Sequence, residues 1–208
     1  DALPIQQFIK HDDGWHERCV SFKKEEDKFE FIACETQASA QFTSPPSAPI
    51  SAGDILETSP AISQTMNDLS QQISDFGGGL LIIDYGYPNH MPGDSLQALH
   101  KHQFVSPLSH IGDADLTAHV NFETLMDISK AYKLSSHGPV TQGYFLEQLG
   151  AQTRLRQLQA KAPPSLQAQL LKDYQRLVEP EQMGRLFKAL AITRADSRAP
   201  EGLQRRAT

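Results

Sequence analysis

The stretch GGGLLIIDYGY, residues 77–87, constrains the fold most, because the order of its parts fixes what its glycines can do. A turn that cradles a phosphate runs strand, glycines, helix, so that N–H groups at the helix start point at the anion. Here the glycines come before the apolar run. Leu80, Leu81, Ile82 and Ile83 form an unbroken apolar segment, the mark of a parallel strand covered on both faces. Residues 77–79 therefore read as a loop into a buried strand over 80–84, not as a phosphate loop. Interest moves to the far end, where Asp84, Tyr85 and Gly86 leave the strand. Open α/β sheets bind ligands beyond the carboxyl ends of their strands, so Asp84 is the first candidate for chemistry. A strand-end acid that caps a turn is the alternative.

A chain of 208 residues suits one domain, or one with a small appendage, and can bury a real core. The net charge of −6 argues against general binding to nucleic acid or to an anionic membrane. No run approaches the ~18 consecutive apolar residues of a membrane-spanning helix, and nothing at the start reads as a signal peptide. Cys19 and Cys34 are too few for a disulfide framework. They could pair, but free, buried thiols in a reducing cytoplasm are the better reading. The opening DALPIQQF has no methionine and reads as cut from inside a longer protein.

Along the chain, residues 5–35 are β-rich. IQQFIK, WHERCVSF and KFEFIACE are separated by the turn-like HDDG and KKEED, which predicts hairpins or a meander. Residues 36–53 are rich in Ser, Pro and Ala, without periodicity, and read as a long exposed loop. Ser59 followed by Pro60 predicts a capped helix over about 61–74, with Ile62, Met66, Leu69 and Ile73 on one face. SLQALHKHQFV reads as partly extended and ADLTAHVNF as a short strand or loop. From Asn121 the pattern turns helical. Asn121 and Thr141 are the predicted caps of the first two helices, Gly150 ends the second, and two more amphipathic helices follow before about 180. GRLFKALAIT predicts a returning buried strand within 181–194, and 195–208 a polar tail.

Six histidines, His90, His100, His102, His110, His119 and His137, fall in one third of the chain. On a strand, His100 and His102 would share a face, as some metal hydrolases require. No cysteine lies near them and no H-E-x-x-H is present, so no metal is assigned. DADLTAHV adds Asp113, Asp115, Thr117 and His119 to a possible site, with a turn rich in side-chain-to-backbone bonds as the alternative. A G-x-S-x-G nucleophile elbow is absent, and Ser59 does not fit one.

In order, DALPIQQFIKHDDGWHERCV, LETSPAI, GGGLLIIDYG, GDSLQALHKHQFVSPL, ADLTAHVNF, GPVTQGYFLEQLG and MGRLFKALAI resemble the MidA-like family of class I S-adenosylmethionine-dependent methyltransferases. The resemblance implies an α/β, Rossmann-like methyltransferase fold, seen here in its C-terminal part over 1–120, with the β-rich segment as an inserted hairpin and 121–180 as an added helical region. It implies methyl transfer from S-adenosylmethionine to a protein arginine, in a family linked to respiratory complex I assembly. The partner implied is a protein substrate, such as a complex I subunit. The compartment is the bacterial cytoplasm, or the mitochondrial matrix in a eukaryote. Asp1, Ala2, Leu3 and Pro4 match the end of the family's active-site segment, of which the preceding Asn-Glu is not in this chain. The glycine-rich cofactor loop and the ribose-binding acid are expected upstream, so the chain alone is expected to bind the cofactor weakly or not at all.

A guanidinium is a planar cation that pairs with carboxylates in a fork. Asp84 and Asp115 are the candidate catalytic acids, with Asp1, Pro4, Tyr85, Gly86, His119 and Gln142 as candidate substrate-binding residues. His119 stands where relatives can carry an acid, so no general-base role rests on it. Gln142 could contact substrate, but at a helix start a structural role is the stronger reading. The competing class is a non-catalytic module that binds a partner protein. A metal hydrolase built on His100 and His102 is the third reading.

Overall fold

The computed structural model describes residues 4–37 and 48–204. Asp1 and most of the Ser/Pro-rich loop lie outside the described residues. The chain divides into two compact units, residues 1–66 with 89–127, and residues 67–88 with 128–208.

The first unit is built on an antiparallel sheet in the order β3-β2-β1-β4, from β1 (Gln6–His11), β2 (Gly14–Lys23), β3 (Lys28–Gln37) and β4 (Ile55–Thr58). The expected turns at HDDG and KKEED form, and the meander follows the sequence reading. Cys19 and Cys34 are joined by a disulfide across β2 and β3, with Cα atoms 6.2 Å apart. This corrects the expectation of free, buried thiols. Cys19 lies opposite Ile32, so Cys34 is its diagonal neighbour on the same face of the sheet, within bonding reach. Spacing along the chain does not show that adjacency.

A second, three-stranded sheet comprises β6 (Gln97–His100), β7 (Gln103–Val105) and β8 (Asp115–Thr117), all antiparallel. The short β9 (Val120–Asn121) leads into α2 (Phe122–Ala131). Phe8, Leu56, Met66, Ala98, Ala118, Val120, Phe122 and Leu125 are the buried apolar residues of this unit. Asn121 caps α2 through its side-chain oxygen, which accepts the Glu123 and Thr124 N–H groups at 3.1 and 3.4 Å.

Helix α1 (Pro60–Phe76) begins in the first stretch of chain and ends in the second. Ser59 Oγ accepts the Ile62 N–H at 3.3 Å, the predicted cap. Gly77 answers at the other end. Its φ of 80° is the left-handed value that stops a helix, and its N–H returns to the Ile73 carbonyl at 2.9 Å. The glycine run is thus a helix stop followed by a strand entry.

In the second unit β5 (Gly79–Tyr87), β10 (Leu134–Thr141) and β11 (Phe187–Arg194) form an antiparallel set with β11 central. Here the structure corrects the reading of 80–84 in three ways. β5 pairs antiparallel with β11, not parallel. It is not covered on both faces: Leu81 and Ile83 are 52% and 45% exposed. It also runs on to Tyr87, so Asp84 sits within the strand, opposite Lys188. The central buried strand is instead β11, in which Ala189, Leu190, Ala191 and Ile192 are at most 3% exposed. Phe145, Ala189, Ala191 and Leu203 make one packed cluster there.

Helices α3 (Gln142–Gln148), α4 (Ala151–Gln159) and α5 (Pro164–Val178) follow β10, as the sequence predicts, and Thr141 Oγ1 accepts the Tyr144 N–H as the α3 cap. One wide turn, Pro180–Gly184, joins α5 to β11. No described helix is long and apolar enough to cross a membrane.

Candidate functional site

The polar centre of the first unit lies on one row across its main sheet. Gln7 on β1 is in register with Glu57 on β4. On the other side of β1, Arg18 of β2 reaches the same glutamine. Gln7 Nε2 donates to Glu57 Oε1 at 2.7 Å and to Asp94 Oδ1 at 2.8 Å. Arg18 Nη1 donates to Gln7 Oε1 at 2.9 Å and to Asp94 Oδ2 at 2.7 Å. The guanidinium also stacks over the Phe31 ring, 3.9 Å from its centroid. Asp94 comes from the loop before β6, and that loop is tied down beside it: the Gly93 N–H donates to the Ile55 carbonyl at 2.8 Å.

Glu57 is 6% exposed and is held by three neutral donors. Besides Gln7, the Ser95 N–H donates to its Oε1 at 2.9 Å, and the Ser95 hydroxyl donates to its Oε2. The same Ser95 Oγ accepts the His119 N–H at 2.9 Å. Of the two carboxylates, Asp94 takes the Arg18 guanidinium, which also binds Gln7, while Glu57 is held by the neutral donors. The cluster carries a negative excess, an environment suited to a cationic ligand.

The candidates from sequence divide between the two units. In the first, the His119 N–H joins the Glu57 network through Ser95 Oγ, whereas the Pro4 carbonyl accepts Ser59 Oγ at 2.8 Å, at the cap of α1. Asp115 lies on β8 opposite Leu99 and is exposed. Asp84, Tyr85, Gly86 and Gln142 belong to the second unit. Asp84 Oδ1 accepts the Tyr85 N–H at 2.8 Å, and the Tyr85 ring stands edge-on to Phe187 at 5.4 Å. Gln142 is buried and its Nε2 donates to the Leu177 carbonyl at 2.9 Å, tying α3 to α5. Asp1 lies outside the described residues.

His100 and His102 do not share a strand face. β6 ends at His100, and Lys101 and His102 form the two-residue turn into β7 with φ of 51° and 64°. His100 stacks on His110 instead, 4.2 Å between centroids. No group of three or more metal-ligating side chains occurs among the described residues.

Sequence reasoning missed Glu57, Gln7, Arg18, Asp94 and Ser95. A signal for Glu57 was present. It is an acid near the carboxyl end of a strand that feeds directly into a capped helix, the very position type assigned to Asp84.

The described residues do not fit a cofactor cradle. Three strands run straight into helices, and at β9–α2 Asn121 Oδ1 takes the Glu123 and Thr124 N–H groups. At β4–α1, Pro60 lacks an N–H and Ser59 Oγ takes that of Ile62. At β10–α3, Thr141 Oγ1 takes the Tyr144 N–H, and Gly143 faces the Val178 carbonyl, not open space. At each of these turns a side chain of the protein itself takes a leading N–H group, unlike the open, glycine-lined turn of a phosphate cradle.

Comparison with known proteins places the chain. Residues 1–140 match the family described as putative S-adenosyl-L-methionine-dependent methyltransferase. The chain belongs to that family. It is 36% identical to the mitochondrial protein arginine methyltransferase NDUFAF7 of Rattus norvegicus, over 92% of this chain and 43% of that protein. The Homo sapiens and Drosophila melanogaster counterparts are 33% and 32% identical. The chain thus spans under half the length of these relatives. Two crystal structures from Burkholderia thailandensis share its fold at 25% identity, with TM-scores of 0.81 and 0.77. They cover 99% of this chain, which in turn covers 56% and 54% of theirs. The second is put forward as a methyltransferase and holds S-adenosylhomocysteine. The mixed α/β architecture here is therefore that of the class I methyltransferases, and the cofactor of the family is S-adenosylmethionine.

Proposed function

We propose that this chain carries acceptor-side residues of an S-adenosylmethionine-dependent protein arginine methyltransferase. One observation carries the reading: 31–36% identity to protein arginine methyltransferases across 92% of the chain. The Glu57 cluster supports it, since a buried carboxylate held only by neutral donors favours a nearby cation over a neutral acceptor. The reaction lines up an acceptor nitrogen with a methyl carbon, so holding the guanidinium in place is most of what the protein must do. A carboxylate fork does this and draws positive charge away from the attacking nitrogen.

We assign Asp115 in the first unit and Asp84 in the second as separate candidate carboxylates for the substrate arginine, with Pro4 and His119 as candidate contacts in the first unit, Tyr85, Gly86 and Gln142 in the second, and Asp1 in the segment before Pro4. A subunit of respiratory complex I is the proposed protein substrate, by analogy with the named relatives. The proposed compartment is the mitochondrial matrix, or the bacterial cytoplasm for a bacterial protein. The test is transfer of labelled methyl from S-adenosylmethionine by the full-length protein into a protein fraction, followed by acid hydrolysis. Label in methylarginine supports the reading. Label in other amino acids alone contradicts it. In the same assay Asp84→Asn, which keeps the shape and removes the charge, lowers transfer by about tenfold or more if a charge-assisted contact is lost. A well-folded variant with full transfer removes Asp84 from the site.

A further inference from the structure

The loop that carries Asp94 and the turn that carries His119 are far apart in sequence, yet one hydroxyl joins them. Ser95 Oγ donates to Glu57 Oε2 and accepts the His119 N–H at 2.9 Å, while the Ser95 N–H binds Glu57 Oε1 at 2.9 Å. Glu57 itself is fixed from below by Gln7. The turn it reaches is otherwise packed away. Thr117, Ala118 and Val120 are 6%, 1% and 6% exposed, and only His119 among these four is not buried. The Thr117 hydroxyl, buried two residues before His119, has no hydrogen-bond partner among the described residues. A buried hydroxyl without a partner costs free energy until a polar group reaches it.

We propose that Ser95 is a positioning residue of the acceptor site: clamped by the buried carboxylate of Glu57, it fixes the 117–120 turn so that His119 and the Thr117 hydroxyl meet the substrate segment carrying the arginine. This rests on the functional reading above. The clamp is a short chain of charge-assisted bonds in a buried setting, where such bonds are stronger and more directional than at a surface. It holds ground state and transition state alike, so its loss shows in substrate binding more than in turnover.

The experiment uses the full-length protein, tritiated S-adenosylmethionine and a peptide whose one charged side chain is a single arginine. Ser95→Ala removes the hydroxyl and keeps the Ser95 N–H bond to Glu57. The expected result is a rise in peptide KM of roughly tenfold, the worth of one well-made hydrogen bond, with kcat and the cofactor KM within about twofold. Ser95→Thr restores the hydroxyl and the KM. Exchange of the His119 amide hydrogen quickens in the alanine variant by a similar factor. Glu57→Gln keeps an acceptor for Gln7 but removes the charge, and it raises the peptide KM as well. An unchanged peptide KM in folded Ser95→Ala, or a threonine variant that stays as weak as alanine, overturns the inference and leaves the functional reading standing. Wild-type protein that methylates no arginine in peptide or protein fraction overturns both.

Discussion

At the scale of single residues, Glu57 and His16 show opposite dependence on their surroundings. Glu57→Ala strands the Gln7 amide and the Ser95 N–H and hydroxyl in a buried place. Each orphaned donor costs about 1–3 kcal/mol, so this variant loses several times the stability that Glu57→Gln loses, as urea titration would show. His16 has both ring nitrogens against acceptors: Nδ1 on the Cys34 carbonyl at 2.7 Å and Nε2 on Asp13 Oδ1 at 3.1 Å. The Cys34 carbonyl first, then Asp13, raise its pKa above the ordinary 6.5. A raised histidine pKa stabilises the fold fully below the unfolded value and stops doing so as pH rises through the folded value. The melting temperature of the protein is therefore expected to fall as pH climbs from about 6 through that raised value, and His16→Gln flattens this step. An identical pH profile in the variant would contradict the assignment.

At the scale of elements, the α3–α5 corner depends on two glycines that face one carbonyl. A Cβ on Gly184 would stand 2.0 Å from the Val178 oxygen, and one on Gly143 2.3 Å from the same atom. Backbone cannot yield as a side chain does, so Gly184→Ala destabilises by about 1–3 kcal/mol, measurable by chemical unfolding. In the same corner the Tyr174 hydroxyl donates to Glu147, and that bond, with burial, pushes the phenol up to about 12. Its contribution persists below the unfolded value near 10 and disappears as pH passes through 12. Tyr174→Phe costs about 0.5–1.5 kcal/mol at neutral pH, and a spectroscopic titration of the wild type finds one tyrosine ionising late. The caps at Ser59, Asn121 and Thr141 were legible because they are local: each side chain binds an N–H three residues away or fewer. The environment of β5 was not. An apolar run looks the same whether neighbours cover one face or two, and nothing within 80–83 states that its partner runs antiparallel. β10 hid for a different reason. Its sequence LSSHGPVT is broken by Gly138-Pro139, and the ladder with β11 shifts register there, between His137 and Val140.

At the scale of the whole molecule, family membership was legible where the site was not. Seven short motifs in fixed order survive in one reading of the sequence, whereas the Glu57 cluster is assembled from β1, β2, β4, the loop before β6 and the turn after β8. Pairings such as Gln7 with Asp94 have no sequence period to reveal them. The sequence offers the Cys19–Cys34 disulfide only as one of two readings for the same reason, since sheet register decides whether Cys34 lies beside Cys19. The central claim is that a negatively charged acceptor site, built around Glu57, serves methyl transfer to arginine. Its most direct test is a paired assay of the full-length protein with labelled S-adenosylmethionine and two peptides without other charged side chains, one carrying a single arginine and the other citrulline, its uncharged isostere, in the same place. Label is expected in the arginine peptide, recovered as methylarginine, with none in the citrulline peptide and weaker capture of the arginine peptide by Glu57→Gln. Equal labelling of both peptides, or wild-type affinity for arginine in a folded Glu57→Gln protein, would contradict it.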